Sequence, residues 1–565
     1  MMPATLSLTS SPRALNTETW LQRLIVAGGL CFLLAALLMP LLTMLVKSLQ
    51  NAAGEFAGLS NFIEYFSNPA LTRSILNSLN IAFWTTVIVV STAFVFAYAL
   101  TRSGMVAKRG FRLLSMLPLF APSLLPALSM IYLFGNQGIL RDWLPVDSIY
   151  GPVGIVMGLS FWAFPHALMI LITAFSNSDA RLYEAARSMK TPSWRVFLTV
   201  TLPSVRYGLI NTIFVIFTLT ITDFGVAKVI GGQYNVLATD IYKQVVGQQN
   251  FQMGAVVSVI LLLPALISFA VERRVQRQQS AQLSSRAVPM TPQKSPLRDA
   301  LLALFCALVC GFLLLVIGMA VYASFITFWP YNMALSFNNY RFDMMDGGGW
   351  ASYFNSLQMS AWTAFIGTAI VFLIAYMSEK IKPMPLARRL LQLLAMLPMA
   401  VPGIVLGLAY IFFFNHPQNP FNAIYGTMFI LVLNTLVHFY TVCHLTAVTS
   451  LKQIDSEFEA VSASLKVPFY TTLRRVTLPL ALPSVLDISV YLFVNAMTTV
   501  SAVVFLYSSE TTLASVAVMH MDEAGDIAPA AAMAVLLMLT SLVAKGLHWL
   551  ISHQILQRTQ RWRQR

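Results

Sequence analysis

The chain has 565 residues, 57% of them apolar and 10% charged, with mean hydropathy +0.70 and a formal net charge of +14. No soluble globular domain has this composition, so the class is a polytopic membrane protein. The basic excess points to nucleic acid only if its placement is ignored, and the placement argues for membrane topology instead.

The N-terminal stretch, Met1 to Gln22, is polar and carries Pro3 and Pro12. The apolar run after it, 24–46, is long enough to cross a bilayer and lacks a small-residue cleavage pattern, so it reads as a retained helix. Further crossings are predicted near 79–101, 113–134, 153–175, 207–231 and 254–271. A polar linker follows, and a second series lies near 299–325, 357–377, 389–414, 423–448, 484–507 and 529–552. This gives a tail (1–23), a first six-helix repeat (24–272), a linker (273–298), a second six-helix repeat (299–553) and a basic tail (554–565). The four cysteines, Cys31, Cys306, Cys310 and Cys443, fall inside apolar runs and read as packing residues, not disulfides or metal ligands.

Lys and Arg set the orientation. Most of the 36 fall on one side: the N-terminal tail, the loops after the second, fourth, eighth and tenth crossings, the linker and the last residues. The other side holds Lys47, Arg73, Arg141, Lys228, Lys243 and Arg341. Both termini are therefore expected in the cytoplasm, with no nucleic-acid partner.

The halves repeat. Asn77-Ser78-Leu79 with Trp84 matches Asn355-Ser356-Leu357 with Trp362, and Met116-Leu117-Pro118 with Pro122 matches Met396-Leu397-Pro398 with Pro402. A polar island, 183–203, returns as 459–479, aligning Lys190 with Lys466, Pro192 with Pro468 and Thr201-Leu202-Pro203 with Thr477-Leu478-Pro479. Six crossings per half is an even number, so the halves insert in parallel, related by a pseudo-twofold axis along the membrane normal. The expected fold is all-α.

Each island reads as two short helices at an angle. Asn177, Ser178 and Asp179 offer N-caps for the first, Thr191-Pro192 starts the next, and Pro203 closes the segment. Ser456 and Glu459 have the spacing of a capping box. Duplicated cytoplasmic helices suit docking onto a symmetric pair of partners.

Glu184-Ala185-Ala186 and Leu202-Pro203 give the first island its resemblance to the EAA loop of permease subunits of ATP-binding-cassette importers. The second island is similar through Glu459, Ala460, Lys466, Leu478 and Pro479. Two departures stand out: Lys190 and Lys466 occupy the usual glycine position, and Ala460 stands where the glutamate belongs, with Glu459 one residue earlier. The resemblance implies that each loop seats in a cleft of a cytoplasmic ATPase, two copies in all. It implies a periplasmic or extracellular solute-binding protein as a further partner, residence among the lipids of a bacterial inner membrane, and alternating access. ATP and Mg would be bound by the ATPase, with no cofactor or metal in this chain. The chain has no G-x-x-x-x-G-K-[ST] phosphate loop and is expected not to be an enzyme. Ile230-Gly231-Gly232-Gln233 reads as an extracytoplasmic turn.

An intramembrane charge costs about 2.5–3.5 kcal/mol on insertion scales. Asp223, with Thr222, therefore reads either as a lining residue of the solute pathway or as a structural group, a partner of Lys228 or a polar bond between helices. The matching stretch of the second half supplies Asn495, Thr499 and Ser501. Asp487 lies near the start of the eleventh crossing, and Lys228 and Lys545 sit close enough to helix ends to snorkel. His166, His438 and His444 read as packed. The fused twelve-crossing form resembles ferric-iron permeases and, more closely over 354–369 and 464–469, permeases of 2-aminoethylphosphonate importers. The solute implied is 2-aminoethylphosphonate, whose ammonium Asp223 would meet, with ferric iron as the alternative. A major-facilitator-type ion-coupled transporter is the rival class, but the loop 102–112 carries no acidic residue.

Overall fold

The structure is a computed structural model, and it describes residues 17–143, 145–282, 292, 295–380 and 384–559. Most of the N-terminal tail, much of the linker and the last basic residues lie outside this range. Among the described residues, nine helices are long and apolar enough to cross a membrane, and three further pairs meet at sharp bends. Counting each pair as one crossing gives twelve. Among the described residues a short antiparallel hairpin, Ile326–Phe328 with Asn332–Leu335, and an isolated bridge between Gln50 and Phe56 interrupt an otherwise helical fold.

The bends are where the expectation of straight spans fails, and proline is the reason for two of them. The third crossing is Lys108–Phe120 followed by Leu124–Phe134 at 104°, and the ninth is Pro385–Ala400 followed by Gly403–Phe414 at 115°. Ala121 and Val401, which precede Pro122 and Pro402, are both extended, the conformation that a following proline ring imposes. The repeated Met-Leu-Pro pattern is thus the signature of a broken helix. Unpaired backbone at a break needs a partner when water is excluded. In the second half Thr441 supplies it, accepting from the Met399 N–H at 3.2 Å and donating to the Ala395 carbonyl at 2.8 Å.

The islands run directly into the membrane. Ser193–Ile221 and Phe469–Thr498 are each one long helix, passing through a π-turn at Phe197–Thr201 and at Leu473–Thr477. Pro203 and Pro479 therefore do not close the segment. Each sits in the first turn after the π-turn, where the wider ladder accommodates a residue without an N–H. The fifth crossing ends at Ile221, and 225–231 belongs to a separate short helix, Gly225–Ile230, then a turn through Gly231-Gly232-Gln233.

The halves exchange their first helices. Val26 and Leu33 of the first crossing lie in a buried cluster with Phe372, Ile374, Leu391 and Leu436 of the second half. Tyr410 donates to the Ala36 carbonyl at 2.7 Å. Reciprocally, Pro296–Phe325 packs on the first half, with Cys306 and Cys310 buried and Cys310 Sγ 3.8 Å from the Phe111 carbonyl. All four cysteines are free, but Cys31 is exposed, against the packing role expected of it.

Candidate functional site

Asp179, not Asn177 or Ser178, caps the first island helix, Ala180–Ser188, by accepting from the Arg181 N–H at 3.0 Å. The helix ends in a Schellman motif. Thr191 N–H reaches the Ala186 carbonyl at 3.0 Å and Lys190 N–H the Arg187 carbonyl at 2.8 Å. The second island closes identically, Val467 to Ser462 at 2.9 Å and Lys466 to Ala463 at 3.2 Å. This geometry needs a left-handed residue at the turn, and Lys190 and Lys466 supply it at φ 51° and 54°. The following helices start at Ser193 and Phe469 with Pro192 and Pro468 as N-caps, so Pro192 stands one position earlier than expected.

The outward faces of the islands match pair by pair. Leu182 and Phe458, Ala185 and Val461, Met189 and Leu465, and Trp194 and Tyr470 are all exposed at equivalent positions. Glu184, Lys190 and Pro203 are exposed with them, as are Ala460, Lys466 and Pro479, whereas Ala186 is buried and Leu202 and Leu478 are half-buried. Two apolar patches ringed by charge, at symmetric positions, mark a surface for protein partners.

The inward faces differ. Arg102, at the end of the second crossing, donates to the Phe175 carbonyl at 2.7 Å and lies over the Tyr183 ring at 5.1 Å. Its repeat partner Lys380 donates to the Ile454 carbonyl at 2.9 Å and pairs with Glu459 at 3.0 Å. Glu459 therefore occupies the place of Tyr183, not of Glu184. The expected capping box is absent: the Ser456 side chain makes no cap bond, and Asp455 accepts from the Glu457 N–H instead, at 3.0 Å. One further tie occurs in the second island, where Glu18 of the first crossing accepts from the Phe469 N–H at 2.8 Å.

On the opposite side, the repeated Asn-Ser pair has a definite task. Asn77 donates to the Asn235 carbonyl at 2.9 Å, and Ser78 accepts from the Leu237 N–H at 2.8 Å, at the start of the helix Leu237–Tyr242. Asn355 donates to the Glu510 and Thr512 carbonyls, and Ser356 accepts from the Ala514 N–H at 2.8 Å, at the start of Ala514–Ala524. Each half thus clamps a short helix between its last two crossings.

The candidate pathway residues lie at the breaks leading into these segments. Asp223, half-buried, accepts from the Val226 N–H at 3.0 Å and so caps Gly225–Ile230. It does not pair with Lys228, whose ammonium reaches Glu523 of the other half at 2.6 Å and lies 4.6 Å from the Tyr242 ring centre. Thr222 bonds back to the Thr218 carbonyl at 2.8 Å and Asn495 to the Tyr491 carbonyl at 2.8 Å. Thr499 is buried, its carbonyl accepting from Ser515 at 2.6 Å, and Ser501 is half-buried against Gly403. Asp487 is off this region, 3.2 Å from His548, which also meets Lys545 at 3.3 Å. His166 bonds to the Trp162 carbonyl at 3.3 Å, and His444 stacks on Tyr440, as packed histidines do.

Glu523, which meets Lys228 from the other half, and its neighbour Asp522 were not singled out in the sequence reading. Burial, with Glu523 adding and Lys228 opposing, pushes the Asp522 carboxyl up to about 7. The available signal was an acidic pair just before the last crossing with Gly247 at the matching place in the first half. Among the described residues no group of three or more His, Cys, Asp or Glu side chains forms a metal site.

A family model described as binding-protein-dependent transport system inner membrane component matches residues 99–280 and again 371–557. The putative ferric transport system permease protein FbpB 1 of Haemophilus influenzae is 27% identical over 86% of this chain and 79% of its own length. The ferric transport system permease protein FbpB of Actinobacillus pleuropneumoniae is 26% identical over 90% and 75%. The sulfate permease 2 of Chlamydomonas reinhardtii, 24% identical, matches 47% of this chain.

Proposed function

The chain belongs to the family of binding-protein-dependent transport system inner membrane components, as a multi-pass permease built from two copies of the unit, and we propose that the solute it carries is ferric iron. The observation behind that choice is length. The relatives that run through both halves of this chain are named ferric transport permeases. This reading takes the place of the 2-aminoethylphosphonate expectation, which finds no support among the relatives. Asp223, the residue on which an ammonium contact rested, is engaged as a helix cap.

In this reading two copies of a separate ATPase seat on the exposed faces of the islands, with Leu182, Met189 and Trp194 on one and Phe458, Leu465 and Tyr470 on the other. Both termini and both islands face the cytoplasm, and a solute-binding protein delivers iron at the other side. ATP hydrolysis belongs to the partner. Movement of an island reaches the membrane helix without a joint, because each island helix continues through its π-turn into a crossing.

The test is uptake of radiolabelled ferric iron and of labelled 2-aminoethylphosphonate in cells lacking the gene and in complemented cells. Iron uptake that returns only with the gene supports the reading. Restored phosphonate uptake with unchanged iron uptake overturns it.

A further inference from the structure

Among the contacts that join the halves at the extracytoplasmic end is one ion pair. Lys228 lies on the short helix Gly225–Ile230, which follows the break after the fifth crossing, and Glu523 lies near the end of Ala514–Ala524, before the twelfth. Their charged atoms are 2.6 Å apart, and the Lys228 side chain is 19% exposed against 41% for Glu523. Beneath the ammonium, Tyr242 of the first half offers its ring face at 4.6 Å and stacks at 6.2 Å, nearly parallel, on Phe505 of the second. Phe224 closes on the other side of Tyr242 at 5.3 Å. The supports are fixed as well: Leu237–Tyr242, which carries Tyr242, and Ala514–Ala524, which carries Glu523, begin on the serines of the repeated Asn-Ser pair, and Asp223 caps Gly225–Ile230.

The arrangement has no symmetric copy. The repeat places Val504 opposite Lys228 and Gly247 opposite Glu523, so one charged bond closes an end that two could have closed. Two carboxyl groups, Asp522 and Glu523, share the helix end with one facing cation, Lys228, and burial beside Glu523 favours the neutral form of Asp522. Parting the two helices removes that cation and leaves the Glu523 carboxylate, with Asp522 able to ionise beside an incoming cation, facing the gap between halves.

We propose that Lys228 and Glu523 form the latch that holds the extracytoplasmic end of the pathway shut, and that a cationic solute enters by replacing the Lys228 ammonium beside the Glu523 and Asp522 carboxylates. The second clause rests on the ferric-iron reading; the first does not. Tyr242 and Phe505 are positioning residues: the ring face favours the ammonium, and the stack aligns the helix that carries it. Because both charges are partly exposed, the bond contributes roughly 1 kcal/mol, and opening is correspondingly easy.

The latch is tested in cells carrying the complete transporter, with Thr222→Cys in a Cys31→Ser chain and a membrane-impermeant maleimide added outside. Lys228→Met and Glu523→Gln are each expected to speed labelling about fivefold, the factor that about 1 kcal/mol represents. The double variant is expected to label no faster than either single one, since the second change has no bond left to break. Unchanged labelling in both single variants, or additive effects in the double, overturns the latch. For the hand-over, Asp522→Asn with Glu523→Gln is expected to lower ferric uptake several-fold while labelling stays fast. Unaltered uptake with fast labelling overturns the hand-over. Absence of ferric uptake by the unaltered chain overturns the iron reading and the hand-over with it, while the labelling result still decides the latch.

Discussion

The two islands have the same backbone and different anchors. In the first, a guanidinium from the second crossing lies over Tyr183 and holds the Phe175 carbonyl; in the second, an ammonium from the eighth crossing pairs with Glu459 and holds the Ile454 carbonyl. Each cation also holds a backbone carbonyl, though at non-equivalent positions, and the side-chain partner has changed with the cation. Arginine suits a ring because its planar, weakly hydrated group stacks, whereas a lysine ammonium is best matched by a point charge. What duplication retained is a basic residue at the helix end that fixes the island's inner face. The outer face kept its apolar row. The position between them, Tyr183 or Glu459, was free to follow its partner.

A second such exchange gives the largest expected effect. In the first half a Cβ on Gly225 would come within 2.3 Å of Ser123 Oγ, and in the second a Cβ on Gly403 would come within 2.6 Å of Ser501 Oγ. The repeat aligns Ser123 with Gly403 and Gly225 with Ser501, so each half has one serine and one glycine where the broken crossing meets the short segment, in opposite order. Gly225→Ser should therefore destabilise the first half by about 1–3 kcal/mol, read as lower yield of monodisperse protein in detergent. Adding Ser123→Gly, which reproduces the second half's order, should recover most of that loss. A Gly225→Ser chain that purifies normally would show that the contact is loose and the exchange incidental.

The anchors predict an effect of at most similar size. Lys380→Ala leaves the half-buried Glu459 without its cation and should cost about 2 kcal/mol, short of the 3–5 kcal/mol of a fully buried pair because Glu459 is 24% exposed. Replacing both partners to give the first half's pair, Lys380→Arg with Glu459→Tyr, should be tolerated with a loss under about 1 kcal/mol. Thermal aggregation midpoints of the purified variants measure both. If the double replacement is as damaging as Lys380→Ala, the anchors are not interchangeable, and the islands differ in more than this pair.

Much of this architecture was legible because membrane insertion writes itself into composition: the crossings come from apolar runs and the repeat from motifs that return in the second half. The islands were legible as helices, yet their inner partners were not, since Arg102 and Lys380 are far away in sequence and read as topology markers. The broken crossings were read as single spans, and the prolines that break them were seen only as a repeated motif. The Asn-Ser pairs were seen as repeats, but their role as clamps depends on segments more than a hundred residues later. Lys228 shows the limit most plainly. Sequence proximity made Asp223 its natural partner, while the fold turns Asp223 onto a backbone N–H and brings Glu523 from the other half.

The smallest predicted effect separates conformation from charge at the two lysines that replace glycine. Lys190 and Lys466 are left-handed, at φ 51° and 54°, where a Cβ costs roughly 1–2 kcal/mol that glycine does not pay. Part of that gain is returned, because glycine also loses more freedom on folding. Lys190→Gly and Lys466→Gly should each stabilise the chain by about 0.5–1 kcal/mol, read as a modest rise in thermal midpoint. Lys190→Ala removes the same charge from beside Arg187 but keeps the Cβ, so it should give no rise. The two islands should also respond alike, since their turns share every hydrogen bond and differ only in neighbouring charge. A gain from alanine equal to that from glycine would locate the cost in repulsion. A gain in one island alone would mean that its neighbours, not its backbone, set the cost of the lysine.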